Sequence, residues 1–108
     1  MTTRKQITEY FIQSFEVEKE DALILLKESI QSIEENINKF ILPVQEHQRN
    51  WIKAAHTIKG TAGNCHFIEL ETLAKELELK TKEGDFQTCE TLISQITILF
   101  NQFKNSEN

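Results

Sequence analysis

Residues 54–65 read AAHTIKGTAGNC and bring together a histidine, His56, a lysine, Lys59, and two of the chain's three glycines, Gly60 and Gly63. A glycine inside a helix costs about 0.5–1 kcal/mol relative to alanine, so two of them beside a histidine call for a reason. At about 100° per residue, with His56 set at zero, Trp51, Ala55, Ile58, Ala62 and Cys65 gather between about 180° and 260°, the core side. By the same rotation Gly60 falls at about +40°, Gly63 at about −20° and Lys59 at about −60°. His56, Lys59 and the glycines therefore share one face turned away from the core. Bare backbone there lets another macromolecule come close to the imidazole. Ile52, one turn earlier, adds apolar area to the same face, and exposed apolar area of this kind marks partner sites. An imidazole without strong partners is mostly neutral near pH 7 and hence nucleophilic. Lys59 supplies a mobile cation within a helical turn, suited to an anion carried on the ring.

What that face lacks narrows the chemistry. It holds no Ser or Cys for His56 to activate, and the chain has no P-loop and no Gly-rich nucleotide loop. If His56 accepts a phosphoryl group, the metal and carboxylates that promote transfer must come from another protein. A metal site built from His56, Cys65, His66 and Cys89 is disfavoured, because Cys65 lies about 180° from His56 on the wheel. No metal site is expected.

The elements that must hold this face in place read as helices. Thr3-Arg4-Lys5-Gln6 has capping-box spacing and predicts a short helix burying Ile7, Phe11 and Phe15. The acidic cluster Glu16, Glu18, Glu20 and Asp21 suits the first turn of a second helix, whose apolar stripe runs Leu23, Leu26, Ile30, Ile33, Ile37 and Phe40. Pro43 marks the next boundary and can itself begin a helix. A fourth helix carries Leu70, Leu73, Ala74 and Leu77. Gly84 then reads as a C′ glycine and Asp85 as the N-cap of the last helix, which buries Phe86, Cys89, Leu92, Ile93, Ile96, Leu99 or Phe100, and Phe103. The tail from Asn105 to Asn108 is expected to fray. The expected architecture is all-α: an antiparallel four-helix bundle over residues 19–104, with a short additional helix in residues 1–18 covering one end.

Bulk properties agree with one domain, since 108 residues suffice for a single core but not two. A formal net charge of −5 argues against a nucleic-acid footprint, although a local basic patch stays open. The N-terminus has no signal-peptide h-region, and the longest apolar run, ALILL at 22–26, is far short of a membrane span. Cys65 and Cys89 read as reduced core thiols of a cytoplasmic protein. A free-standing monomer is expected, given Met1 and the polar tail.

Residues 56–63, His-Thr-Ile-Lys-Gly-Thr-Ala-Gly, resemble the H-x-x-K-G-[small]3 signature of histidine-containing phosphotransfer (HPt) domains. The likeness continues through Leu70, Leu73, Leu77 and Glu78, similar to the family's leucine-rich helix ending in "LE", and takes in Trp51 and the Gly84-Asp85 turn. It spans roughly residues 20 to 103. The resemblance implies that His56 takes a phosphoryl group, through Nε2, from an aspartyl phosphate on a response-regulator receiver domain or hybrid sensor histidine kinase, and passes it to another receiver. It further implies that Lys59 stabilises the phosphate and that Glu78 orients the ring. No cofactor of its own is implied, with Mg2+ expected on the receiver. Ten residues after its histidine the family usually has glycine, where this chain has His66. A left-handed turn there requires His66 at positive φ, which histidine tolerates better than most residues. His66 and the adjacent Phe67 are expected on the rim of the partner face with Ile52, Gly60 and Gly63. Two other readings are an HPt-like docking module that carries no phosphate, and a phosphoacceptor for a chemotaxis-type kinase acting in trans.

Overall fold

Local chemistry sets most of the helix ends. Thr3 accepts from the Gln6 backbone N–H while the Gln6 side chain accepts from the Thr3 N–H, so the capping box closes at the start of α1, Arg4–Phe15. Glu16 then turns the chain at φ 54°, and α2 follows over Lys19–Ile37, with Glu20 and Asp21 in its first turn. The computed structural model describes residues 1–106 and continues with α3, Gln48–Asn64, α4, Ile68–Glu83, and α5, Phe86–Lys104. Gly84, at φ 77°, ends α4, and the Asp85 carboxylate caps α5 by accepting from the Thr88 N–H. No strand occurs among the described residues.

Helices α2 to α5 form the antiparallel bundle, each packed on the next in sequence, and α1 lies against α2. Three contacts register α3 against α4. Gln48, at the start of α3, donates to the Thr81 carbonyl near the end of α4, His56 and Lys59 meet Glu78, and Gly63 lies under Glu71. Ala54, Ala55 and Ala62 of α3 and Ala74 of α4 are buried, so these two helices carry little side-chain bulk where they meet. The bulky filling comes from Trp51, Ile58, Phe67, Leu70, Leu77, Ile96 and Phe103. In α5 it is Phe100, not Leu99, that takes the fully inward position.

Several expectations need correcting. Leu23 is exposed, because Ala22 occupies the inward position one residue earlier and the stripe continues through Leu26 and Ile33. Phe15 is also exposed; α1 ends there, and its ring rests on Tyr10 and Phe11 at the surface. Phe40 is buried as expected, but on a 3-10 turn, Asn38–Ile41, where its ring meets Trp51 edge-on at 4.9 Å. Pro43 begins no helix; the chain turns there, and Trp51 donates its indole N–H to the Leu42 carbonyl at 2.9 Å. Asn105 and Ser106 are not frayed. Asn105 caps α5, and the Ser106 carbonyl accepts from the Arg4 guanidinium. Of that tail, residues 107 and 108 lie outside the described residues.

The α3–α4 turn is built as the missing glycine requires. His66 adopts φ 62°, and its ring stacks on Tyr10 of α1 at 4.8 Å, with planes 9° apart. Thr2 donates its backbone N–H and its hydroxyl to the Glu69 carboxylate, so the N-terminal segment clasps this end of the bundle. A left-handed conformation costs a non-glycine residue roughly 1–2 kcal/mol, and an aromatic stack returns about 0.5–1.5 kcal/mol. His66→Gly, losing strain and stack together, should therefore stay within about 1 kcal/mol of the parent in urea unfolding. His66→Val, which loses the stack and adds the strain of a β-branched residue at positive φ, should cost about 2 kcal/mol. Equal stability of the two variants would remove this account of the turn.

Candidate functional site

His56 lies in the middle of α3 with its side chain 66% exposed. Its core neighbours on the helix, Ala55 and Ile58, are fully buried, so the ring is carried on the outer side of a helix that cannot rotate. Gly60 faces open space, and a Cβ there would meet nothing within 4 Å. Gly63 is different. It is partly covered, and an added Cβ would lie 2.6 Å from the Glu71 carboxylate of α4. The second glycine therefore clears room for a neighbouring helix's side chain as well as for a visitor, a correction to its reading as purely outward. Ile52 is half-buried on the same side of α3.

Glu78 is the centre of the polar cluster. It projects from α4 with only 8% of its surface exposed. One carboxylate oxygen, Oε2, meets His56 Nδ1 at 3.1 Å and Lys82 Nζ at 3.2 Å; the other, Oε1, accepts from Lys59 Nζ at 2.8 Å. Burial is the largest single influence on this carboxyl and disfavours the charged form. The hydrogen bonds and charges of Lys59 and Lys82 together outweigh it, so the carboxyl ionises below its ordinary range. A carboxylate can only accept. His56 Nδ1 must then carry the hydrogen of the contact, which leaves the Nε2 lone pair free on the exposed imidazole. The arrangement presents an oriented nucleophile with cations beside it.

Of the two remaining rim expectations, the one for Phe67 is overturned. Phe67 is 0% exposed, its ring packed 4.7 Å from that of Phe103, and it cannot touch a partner. His66 is exposed, roughly 15 Å from His56 along the axis, with its ring in the Tyr10 stack. Cys65 is buried on the far side of α3 and its thiol is pushed up to about 11, chiefly by burial. Burial also raises Cys89, which sits 3.3 Å from the Thr81 hydroxyl. Among the described residues no group of three or more His, Cys, Asp or Glu side chains converges as metal ligands would.

The sequence profile of the Hpt domain matches residues 11–106, nearly the whole chain. The chain belongs to the Hpt domain family. Histidine phosphotransfer in two-component phosphorelays is therefore its function, and receiver domains and histidine kinases are the typical partners of such domains. No curated protein and no solved structure gives a significant match. No helix among the described residues of this Hpt domain is long and apolar enough to cross a membrane.

Two residues of the Hpt domain's cluster escaped the sequence reasoning. Lys82 follows Glu78 by four residues, a helical ion-pair spacing that is visible in the sequence, but nothing there says the pair joins the histidine. Glu71 over Gly63 depends on how α3 and α4 cross, and had no local signal.

Glu78 has a pH signature. Because its carboxyl is depressed in the fold, it contributes stability that is complete above its ordinary value of 4.5 and is lost as pH falls through the lower native value. Glu78→Gln should therefore be less stable than the parent at neutral pH, and the gap should close in acid below 4.5. Thermal melts of both proteins across that range check it. A gap that stays constant into strong acid would mean the carboxylate is not held charged.

Proposed function

We propose that this Hpt domain is a phosphorelay intermediate in which His56 accepts a phosphoryl group from a receiver's aspartyl phosphate and passes it to another receiver. The observation that carries the reading is the division of labour on one ring: Nδ1 held by Glu78 at 3.1 Å, on a side chain 66% exposed. In the step, the Nε2 lone pair forms a bond to phosphorus while the bond from phosphorus to the receiver's aspartyl oxygen breaks. The receiver regains its carboxylate. The ring keeps its Nδ1 hydrogen, becomes a phospho-imidazolium, and is charge-paired with Glu78.

Lys59, 2.8 Å from Glu78 and partly exposed, is a cation that can turn from the carboxylate to the phosphoryl oxygens. In this reading Lys82 stays behind, so Glu78 remains ionised while Lys59 is engaged. Mg2+ and its carboxylate ligands belong to the receiver, and the domain contributes positioning and charge. Exposure of the ring serves acceptance and donation alike. The domain works as a monomer in the cytoplasm. A phosphate-free docking module would have little use for a carboxylate locked onto Nδ1 by two lysines.

Incubation with a panel of 32P-labelled receivers, and separately with histidine kinases and ATP, identifies the donor. Label should appear from a receiver, be acid-labile and alkali-stable, and vanish in His56→Gln. Label from a kinase alone would shift the assignment to a kinase acceptor, and binding without any label would leave a docking module. Gly60→Glu, placed where an added side chain meets no neighbour, should fold normally yet slow transfer roughly tenfold or more by bulk and like charge. Unchanged transfer in that variant counts against docking over the bare face.

A further inference from the structure

Charge is distributed unevenly along this chain. Residues 36–68 hold four of the twelve basic side chains, Lys39, Arg49, Lys53 and Lys59, but only one of the seventeen acidic ones, Glu46. The segment thus carries +3 within a protein of net −5, leaving −8 on the rest. α3 contains no acidic residue at all. Lys39, Arg49 and Lys53 are exposed, and none of them pairs with a carboxylate among the described residues.

Their placement is directional. On the α3 wheel Arg49 lies at about +20° and Lys53 at about +60° from His56, two turns and one turn before it. Lys53 and Lys39 line one groove with Asn38, Leu42 and Asn50, where the 3-10 turn passes α3. Ile41, 81% exposed, and the exposed Leu42 add apolar surface to that turn. The result is a cationic strip with an apolar portion that leads up to the histidine. A long polyanion such as a nucleic acid would also meet the −8 of the remaining surface. A compact acidic face presented to the histidine would not.

We infer that this strip, formed by Lys39, Leu42, Arg49 and Lys53, docks the acidic protein face surrounding a receiver's phosphoaspartate and speeds association by electrostatic attraction. This rests on the function proposed above. A receiver site that carries an aspartyl phosphate and the carboxylates for Mg2+ is anionic by its chemistry, and opposite charges across an interface govern encounter rate and orientation more than final affinity. The sign is unexpected from composition, because a protein of net −5 would repel an anionic site on average.

The test uses the receiver that labels His56, with rapid-quench transfer kinetics and fluorescence-anisotropy binding between 20 and 300 mM NaCl. The double charge reversal Arg49→Glu with Lys53→Glu should lower kcat/KM about tenfold at low salt, leave kcat at saturating receiver unchanged, and flatten the salt dependence. Lys5→Glu with Lys27→Glu, exposed residues of α1 and α2 that change net charge equally, should have at most a twofold effect. Circular dichroism melts confirm that both variants fold. Equal loss in the two double variants, or salt-independent transfer by the parent, overturns the strip. If no receiver labels His56 but one from the panel binds in a salt-dependent way that the Arg49/Lys53 variant loses, the strip stands and the phosphorelay reading falls. Strip-dependent binding of a single-stranded DNA oligonucleotide, without receiver binding, overturns the assignment to a protein partner.

Discussion

Glu78 is a carboxylate with 8% of its surface exposed, set between two helices, and the site depends on its staying charged. A buried carboxyl left alone takes up a proton, and could then donate to the ring as readily as accept from it. Lys59 from α3 and Lys82 from α4 prevent that by bonding to opposite oxygens. Their charge fixes the carboxylate as an acceptor, the acceptor fixes the hydrogen on Nδ1, and in the neutral ring the lone pair is then at Nε2. The bonds from His56 and Lys59 to Glu78 cross from α3 to α4, so the cluster that meets the ring also holds its helix in register. Chemistry and packing are set by one group.

The rest of the fold keeps that group where it is. Small residues let α3 lie close on α4, while Trp51, Phe40 and the Leu42 carbonyl anchor the beginning of α3 and the His66–Tyr10 stack closes its far end. A helix held at both ends presents its outer face with little freedom, which suits a reaction whose protein contribution is positioning. The thiols stay out of it: both are buried, and burial keeps them protonated. Gly60 and Gly63 then have separate purposes on one stripe, one leaving solvent space and the other admitting Glu71.

Much of the fold was legible because helix caps and apolar periodicity are local. Thr3, Gly84 and Asp85 could be read as caps from spacing alone, since each bonds within four residues. The demand for positive φ at His66 was legible for a similar reason: a left-handed turn restricts its own residue. Leu23 and Phe15 were misread because periodicity names an apolar face but not how far along it a neighbour extends. Phe67 was misplaced on the partner rim because, at a turn, rotation about the helix axis no longer predicts direction. It points into the bundle against Phe103, a contact thirty-six residues away in sequence.

The sequence by itself determined that the chain is helical, where α1 and α5 begin and α4 ends, and that His56, Lys59 and Gly60 stand on one outward stripe of α3. All of these follow from caps that bond within four residues or from a rotation of about 100° per residue within a single element. Only the tertiary structure decided that Glu78 reaches Nδ1, that Lys82 joins it, that Gly63 lies under Glu71, and that Lys39 and Lys53 border one groove. Those facts depend on the crossing of separate helices. That crossing is set by side-chain packing between elements, which no periodicity within one of them encodes.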